Sequence, residues 1–198
     1  MPRLFIVRHG NTFDRGDTVL RVGGRTDLAL SKSGEIQAGA LAAHFAGMTS
    51  QATRIIAGPL RRTLQTARII AGGLGVSEVE VDERLREIDY GPDEGKPEDD
   101  VISRIGAQAL EAWESSRVIP QGWSVDPGAL VALWEDTVTA ASASDGDTLV
   151  VTSNGIARFA LGVVTARGEV PLKLRTGAYG TIDLINGQAK LIDWDKRP

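Results

Sequence analysis

His9 stands between Arg8 and Gly10, directly after the apolar run Leu4-Phe5-Ile6-Val7. Four apolar residues followed by a charge and a glycine predict a buried strand ending in a polar turn. In open α/β sheets, small ligands bind at the carboxyl ends of the strands. An imidazole beside a guanidinium at such an edge places a nucleophile next to a permanent anion clamp. Taken alone, the triplet reads more simply as a histidine closing a surface strand. Three further segments change that.

The first contains Arg62. Gly58-Pro59 ends a second apolar run, Arg54-Ile55-Ile56-Ala57, and Pro59 suits the first turn of a helix. Leu60, Leu64, Ala67 and Ala71 form its apolar stripe, and Gly72-Gly73 is expected to close it. Arg61 and Arg62 fall in the first turn, where free backbone N–H groups already create positive potential. A cation there is mildly unfavourable unless an anion binds, and one of the two is expected to face inward; two solvated surface charges are the plainer local reading. The second segment is Leu85-Arg86-Glu87-Ile88-Asp89-Tyr90-Gly91, opening a polar, Gly/Pro-rich stretch that runs to Pro97. Glu87 is placed to reach a cleft, where a carboxylate exchanges protons with a reacting group. A solvated loop glutamate is the plain alternative. Gly91 to Lys96 resembles a phosphate loop only superficially, being one residue short and followed by Pro97 rather than Ser or Thr. The third segment is Ser153-Asn154-Gly155, between the buried run Thr148–Val151 and a helix expected from Ile156. Backbone N–H groups at a helix start suit an anion, and the Asn154 amide donates without charge. A simple helix cap at Ser153 or Asn154 is compatible with that role.

Around these segments, strand and helix signals alternate. A helix is predicted over Lys32–Phe45, capped by Ser31 or Ser33 and stopped by Gly47. Val79–Val81 reads as a short strand. Two helical patterns are expected around Val101–Trp113 and Pro127–Ala143, and Tyr179–Ile185 with Ala189–Ile192 as a hairpin through Asn186-Gly187. This alternation predicts one domain over residues 1–198, a three-layer α/β/α sandwich with a mixed, mostly parallel central sheet. His44 is expected to be a half-exposed helical residue with no chemical role. No His, Asp or Glu grouping has metal-ligand spacing, cysteine is absent, and no metal or cofactor is expected. A net charge of −4 argues against a nucleic-acid partner. The opening apolar run is too short for a signal-peptide core, and no stretch nears the roughly 18 apolar residues of a membrane span. The expected setting is cytoplasmic.

Taken together, these motifs resemble the histidine phosphatase superfamily, also called the phosphoglycerate mutase-like family. Arg8-His9-Gly10 is similar to its signature triplet, and the block from Arg21 through Gly24, Asp27-Leu28-Ala29-Leu30-Ser31 and Gly34 to Gln37-Ala38 resembles the segment that follows. Gly58-Pro59-Leu60-Arg61-Arg62-Thr63-Leu64-Gln65-Thr66-Ala67 is similar to the family's next run, with Gly58 where the family has serine. Leu85, Glu87-Ile88, Gly91 and Glu94-Gly95 resemble its acid-bearing block. The resemblance implies metal-independent hydrolysis of a small phosphorylated metabolite. His9 would become a phosphohistidine, Arg8 and Arg62 would hold the phosphoryl oxygens, and Glu87 would act as proton donor and acceptor. Asn154 and Gly155, with Arg15 and Asn11, would add anion contacts, and residues 97–147 would shape the substrate pocket. Trp113, Trp123 and Trp134 in that segment could wall the pocket, although core packing is the commoner use of tryptophan. The chain departs from the family in two places. Asn154 stands where the family carries a second histidine, and Asp14-Arg15 where mutases show Trp-Asn. The second departure favours a phosphatase over a mutase. The first leaves open a phospho-ligand-binding protein with weakened catalysis.

Overall fold

The computed structural model describes residues 2–49, 53–165, 167–185 and 187–198. The first apolar run lies in β1 (Arg3–Arg8), where Leu4 through Val7 are all fully buried. Leu4 and Ile6 join one core cluster while Phe5 and Val7 join the other. Both faces of the strand are therefore covered, which is why the run is continuous rather than alternating. β4 (Thr148–Thr152) behaves likewise, with Val150 on the first side and Leu149 and Val151 on the second. With β2 (Arg54–Ala57), β3 (Glu80–Val81), β5 (Tyr179–Ile185) and β6 (Gln188–Lys196), these strands form one sheet in the order β3-β2-β4-β1-β5-β6. β1 to β4 run parallel, and β5 and β6 join antiparallel.

Helices α1 (Lys32–Ala46) and α2 (Arg61–Leu74) cover one face through Leu41, Phe45, Ala67 and Ile70. On the other face lie α3 (Glu98–Ile105), α4 (Ala107–Ser116), α5 (Pro127–Ser142) and α6 (Asn154–Ala160), with Val101, Trp113, Trp134 and Ile156 buried between them. The layered sandwich with a mixed, mostly parallel sheet is thus the architecture the alternation implied. Trp113, Trp123 and Trp134 are core residues. Each such ring removes about 150–250 Å² from water, roughly 4–6 kcal/mol at 25 cal/mol per Å². That is a packing role; none of the three lines the cleft described below.

Several boundaries differ from the sequence reading, each for a local reason. Gly72-Gly73 does not close α2. Gly73 is there because α1 approaches, so that a Cβ would lie 2.8 Å from that of Ala42. The helix ends instead at Gly75, whose φ of 67° is left-handed. Pro59 lies outside the helix, and Leu60 is the cap residue. The cap bond comes from afar, as Asp27 Oδ1 accepts from the Arg61 N–H at 2.6 Å. The pattern Val101–Trp113 is two helices, broken at Gly106 with φ 82°. Ser31 is the α1 cap, accepting from Gly34, and α6 begins at Asn154 rather than Ile156. A 3₁₀ turn at Glu83–Leu85 leads into the polar stretch, which holds a second at Gly91–Asp93. Asn186 of the expected hairpin turn lies outside the described residues.

β1 and β4 are neighbours whose following helices pack on opposite faces of the sheet. Their carboxyl ends therefore open a crevice, the usual ligand position in such sheets. Arg8 pairs with Thr152 and Ala57 with Val151, which aligns the three strand ends. His9, Asn154 and the start of α2 emerge side by side.

Candidate active site

His9 is 6% exposed and its orientation is fixed from both ring nitrogens. Nδ1 lies 2.7 Å from the Gly10 carbonyl oxygen, which can only accept, so Nδ1 carries the proton. Nε2 then holds the lone pair and accepts from Arg62 Nε at 3.2 Å. Gly10 itself is wedged against α1, where a Cβ would meet the Gly34 carbonyl oxygen at 2.3 Å. Burial, then the charges of Arg62 and Arg8, hold the imidazole pKa well below 6.5, against the opposing pull of the Gly10 carbonyl. The ring is a neutral nucleophile at pH 7.

This has a measurable consequence. Between the unfolded value near 6.5 and the lower folded value, the unfolded chain binds a proton at this ring that the folded chain does not. The associated stability is complete above about pH 6.5 and is lost as pH falls through that window. The ¹⁵N signals of His9 should remain those of the neutral Nδ1–H tautomer from pH 7.5 to 5.5. A ring titrating near 6.5 would contradict the geometry.

Arg62 is completely buried. Beside its bond to His9, Nη1 donates to Thr26 O at 2.8 Å and Nη2 to Gly23 O at 3.2 Å. Three of its five N–H donors are thereby used and two remain. Arg62 is thus the inward-facing member of the pair, and Arg61 is exposed. Arg8 lines the cleft, its Nη1 donating to Leu174 O at 2.8 Å, while its buried Nε has no partner. A buried donor without an acceptor, beside a nucleophile, fits an anion arriving from outside. Burial lowers the pKa of both guanidiniums, with Glu87 as the leading opposing charge.

Glu87 is 7% exposed. Its Oε1 accepts from Ile88 N at 2.9 Å and its Oε2 from Gly155 N at 3.2 Å. Gly155 therefore plays a different part from the anion contact expected. Its N–H is committed to Glu87 and it does not line the cleft. A Cβ there would fall 2.2 Å from Glu87 Oε1, so glycine is what lets the carboxylate sit over the start of α6. Asn154 does line the cleft. Its Oδ1 accepts from Leu174 N at 2.8 Å, which fixes the amide so that the NH₂ is its free end. Leu174 thus bridges two site residues, giving its carbonyl to Arg8 and its N–H to Asn154.

The cleft has a volume of about 590 Å³ and brings together Arg8, His9, Asn11, Arg15, Glu87 and Asn154. Asn11 is tied down, its Nδ2 donating to Ser33 Oγ at 3.0 Å and its Oδ1 accepting from Thr176. Arg15 is exposed on the rim. The lining residues that sequence reasoning did not assign to the site include Arg21, Tyr90, Glu114 and Lys173. Arg21 and Tyr90 lay within motif blocks already singled out, whereas Glu114 and Lys173 carry no local signal. Other motif residues serve the site indirectly. Glu94 Oε1 accepts from the Thr26 hydroxyl at 2.9 Å, fixing the loop that grips Arg62. His44 is half-buried against Tyr179, 2.7 Å from its hydroxyl. Among the described residues no group of three His, Cys, Asp or Glu could hold a metal ion, and no helix is long and apolar enough to cross a membrane.

Comparison with known proteins bears on this arrangement. The family model of the histidine phosphatase superfamily (branch 1) matches residues 4–194. A probable phosphoglycerate mutase GpmB of an Enterobacter species is 42% identical over 91 residues, 46% of this chain and 40% of that protein. Its Yersinia pestis namesake is 34% identical over 128 residues, 63% of this chain and 57% of that protein. The matches thus span about half the length of these curated relatives. Mycobacterial glucosyl-3-phosphoglycerate phosphatase superposes with a TM-score of 0.78 at 21% identity, covering 100% of both chains. An Entamoeba histolytica phosphoserine phosphatase in complex with 3-phosphoglyceric acid gives 0.75 at 21% identity, covering 99% and 98%.

Proposed function

Because the chain belongs to the histidine phosphatase superfamily (branch 1), we propose that it hydrolyses small phosphate monoesters, without a metal, through a phosphohistidine on His9. One observation carries this reading. His9 lines a cleft together with Arg8, Glu87 and Asn154, and its Nε2 accepts from the fully buried Arg62, which lies behind the ring and does not itself line the cleft. In the first step Nε2 attacks phosphorus and the ester P–O bond breaks. Glu87, in its acid form, gives its proton to the departing alkoxide. In the second step Glu87 takes a proton from water, the water oxygen attacks phosphorus and the N–P bond breaks. Inorganic phosphate leaves and the imidazole lone pair returns. Arg62, the Nε of Arg8 and the Asn154 amide stabilise charge on the transferring group. Because phosphoryl transfer is mainly positioning and electrostatics, two guanidiniums can supply what a cation supplies elsewhere. Arg15, at the rim, meets the outer part of the substrate.

A second reading, a phosphate-ester-binding protein with slow turnover, is favoured by the neutral side chain at 154. A mutase activity like that named for the GpmB relatives is the third. All three are separated by one assay. The protein is incubated with p-nitrophenyl phosphate and a set of glycerate and sugar phosphates, with a chelator present. Steady release of phosphate is expected. Isomerisation without release would establish the mutase, and binding without either would establish the second reading. Asn154→His introduces a chargeable donor and should raise turnover about tenfold, part of the roughly 10²–10³ that one such donor supplies. No change would place the amide outside the reaction.

A further inference from the structure

Arg158 and Glu114 form a pair that the proposed chemistry does not use. Arg158 is fully buried, one helical turn beyond Asn154 in α6. Its Nε donates to Asn154 O at 3.3 Å and its Nη1 to Trp113 O at 2.8 Å, and its guanidinium lies 4.3 Å over the Trp113 ring. Glu114 is the one carboxylate within ion-pair distance of it among the described residues, Oε2 being 3.4 Å from Nη2. Glu114 also lines the cleft that holds His9, with its side chain 31% exposed. Its Oε1 has no hydrogen bond to any described residue.

A bare carboxylate in an anion-binding cleft would repel the substrate. Here the buried guanidinium, 3.4 Å behind it, offsets part of that charge. What faces the cleft is a hydrogen-bond acceptor whose charge is partly compensated. It is pre-positioned, because the guanidinium holding it is itself locked by two carbonyls and a ring. An acceptor of this kind is satisfied only by a donor. A leaving group without one would strip water from Oε1 and give nothing back.

Resting on the phosphatase reading, we propose that Glu114 is a specificity-determining residue, accepting a hydrogen bond from a hydroxyl or ammonium group of the leaving alcohol. The substrate class is then a phosphate monoester with a donor close to the ester oxygen, rather than a plain alkyl phosphate.

The test compares glycerol 3-phosphate with n-propyl phosphate, and O-phosphoethanolamine with ethyl phosphate. Affinities are measured calorimetrically on the His9→Asn variant, and kcat/KM on the wild-type enzyme. A donor-bearing ester should be favoured about 10–100-fold in at least one pair, the range for a hydrogen bond to a charged group. The pair that discriminates tells hydroxyl from ammonium. In Glu114→Ala the preference should fall to about twofold or less. In Glu114→Gln, which keeps an acceptor oxygen and most of the packing, it should be intermediate. Using the ratio cancels any general gain in anion affinity from the unpaired Arg158. Absence of preference in the parent protein, or an unchanged ratio in Glu114→Ala, overturns the proposal. Absence of turnover on every ester overturns the phosphatase reading instead, and the calorimetric ratio still decides the role of Glu114.

Discussion

His9→Ala should reduce hydrolysis of every phosphate monoester by at least about 10⁴-fold, the usual scale for removing a nucleophile from an organised site. The expected loss lies in kcat, since the guanidiniums that hold the phosphoryl group stay in place. Rapid quenching of the parent enzyme with labelled substrate should trap a phosphoenzyme that is stable to base and labile to acid, as a phosphoramidate is. The variant should trap none. A structural collapse could mimic the loss of rate, because the imidazole also accepts from Arg62 Nε. His9→Asn guards against this by retaining a side-chain acceptor near that donor. Both variants should melt cooperatively and still bind inorganic phosphate. Retained turnover, or a phosphoenzyme formed without His9, would remove the nucleophile from the proposal.

The legibility of this molecule in its sequence followed from how local each signal was. The buried strands were readable because β1 and β4 carry apolar residues on both faces, and a continuous run has one physical meaning there. His9, Arg8 and Asn154 were readable because they sit at the ends of those strands. Arg62 was singled out by an unfavourable position, a cation at a helix start, and the structure explains it through carbonyls from residues 23 and 26. What was not readable depended on pairs distant in sequence. Gly73 looks like a helix terminator until Ala42 is brought against it. Asp27 caps a helix 34 residues away, and the Gly155 N–H serves a carboxylate 68 residues earlier. Glu114 and Lys173 enter the cleft only because α4 and the strand-connecting segment before β5 fold over it. Periodicity and spacing carry no record of such meetings.

Glu87→Gln should separate the acid role from binding by its dependence on the leaving group. For alkyl phosphates the departing alkoxide needs a proton, and loss of a positioned acid costs about 10²–10⁴ in rate. For p-nitrophenyl phosphate the leaving group is stable as an anion, so phosphorylation of His9 needs no acid. Only the second step, in which the carboxylate activates water, should then be slowed. The prediction is a burst of p-nitrophenol, equal to the enzyme present, followed by a slow steady rate. Alkyl esters should show no burst and nearly no turnover. The carboxylate accepts from Ile88 N and Gly155 N on different oxygens. The amide keeps one of these two bonds and turns its NH₂ toward the other N–H, so a melting measurement should accompany the assay to show that the fold around α6 survives. Equal losses on both classes of ester, with no burst, would mean that Glu87 holds structure or substrate rather than moving protons. The outcome also bears on Gly155, because the carboxylate can stand over that helix start only where no side chain intrudes.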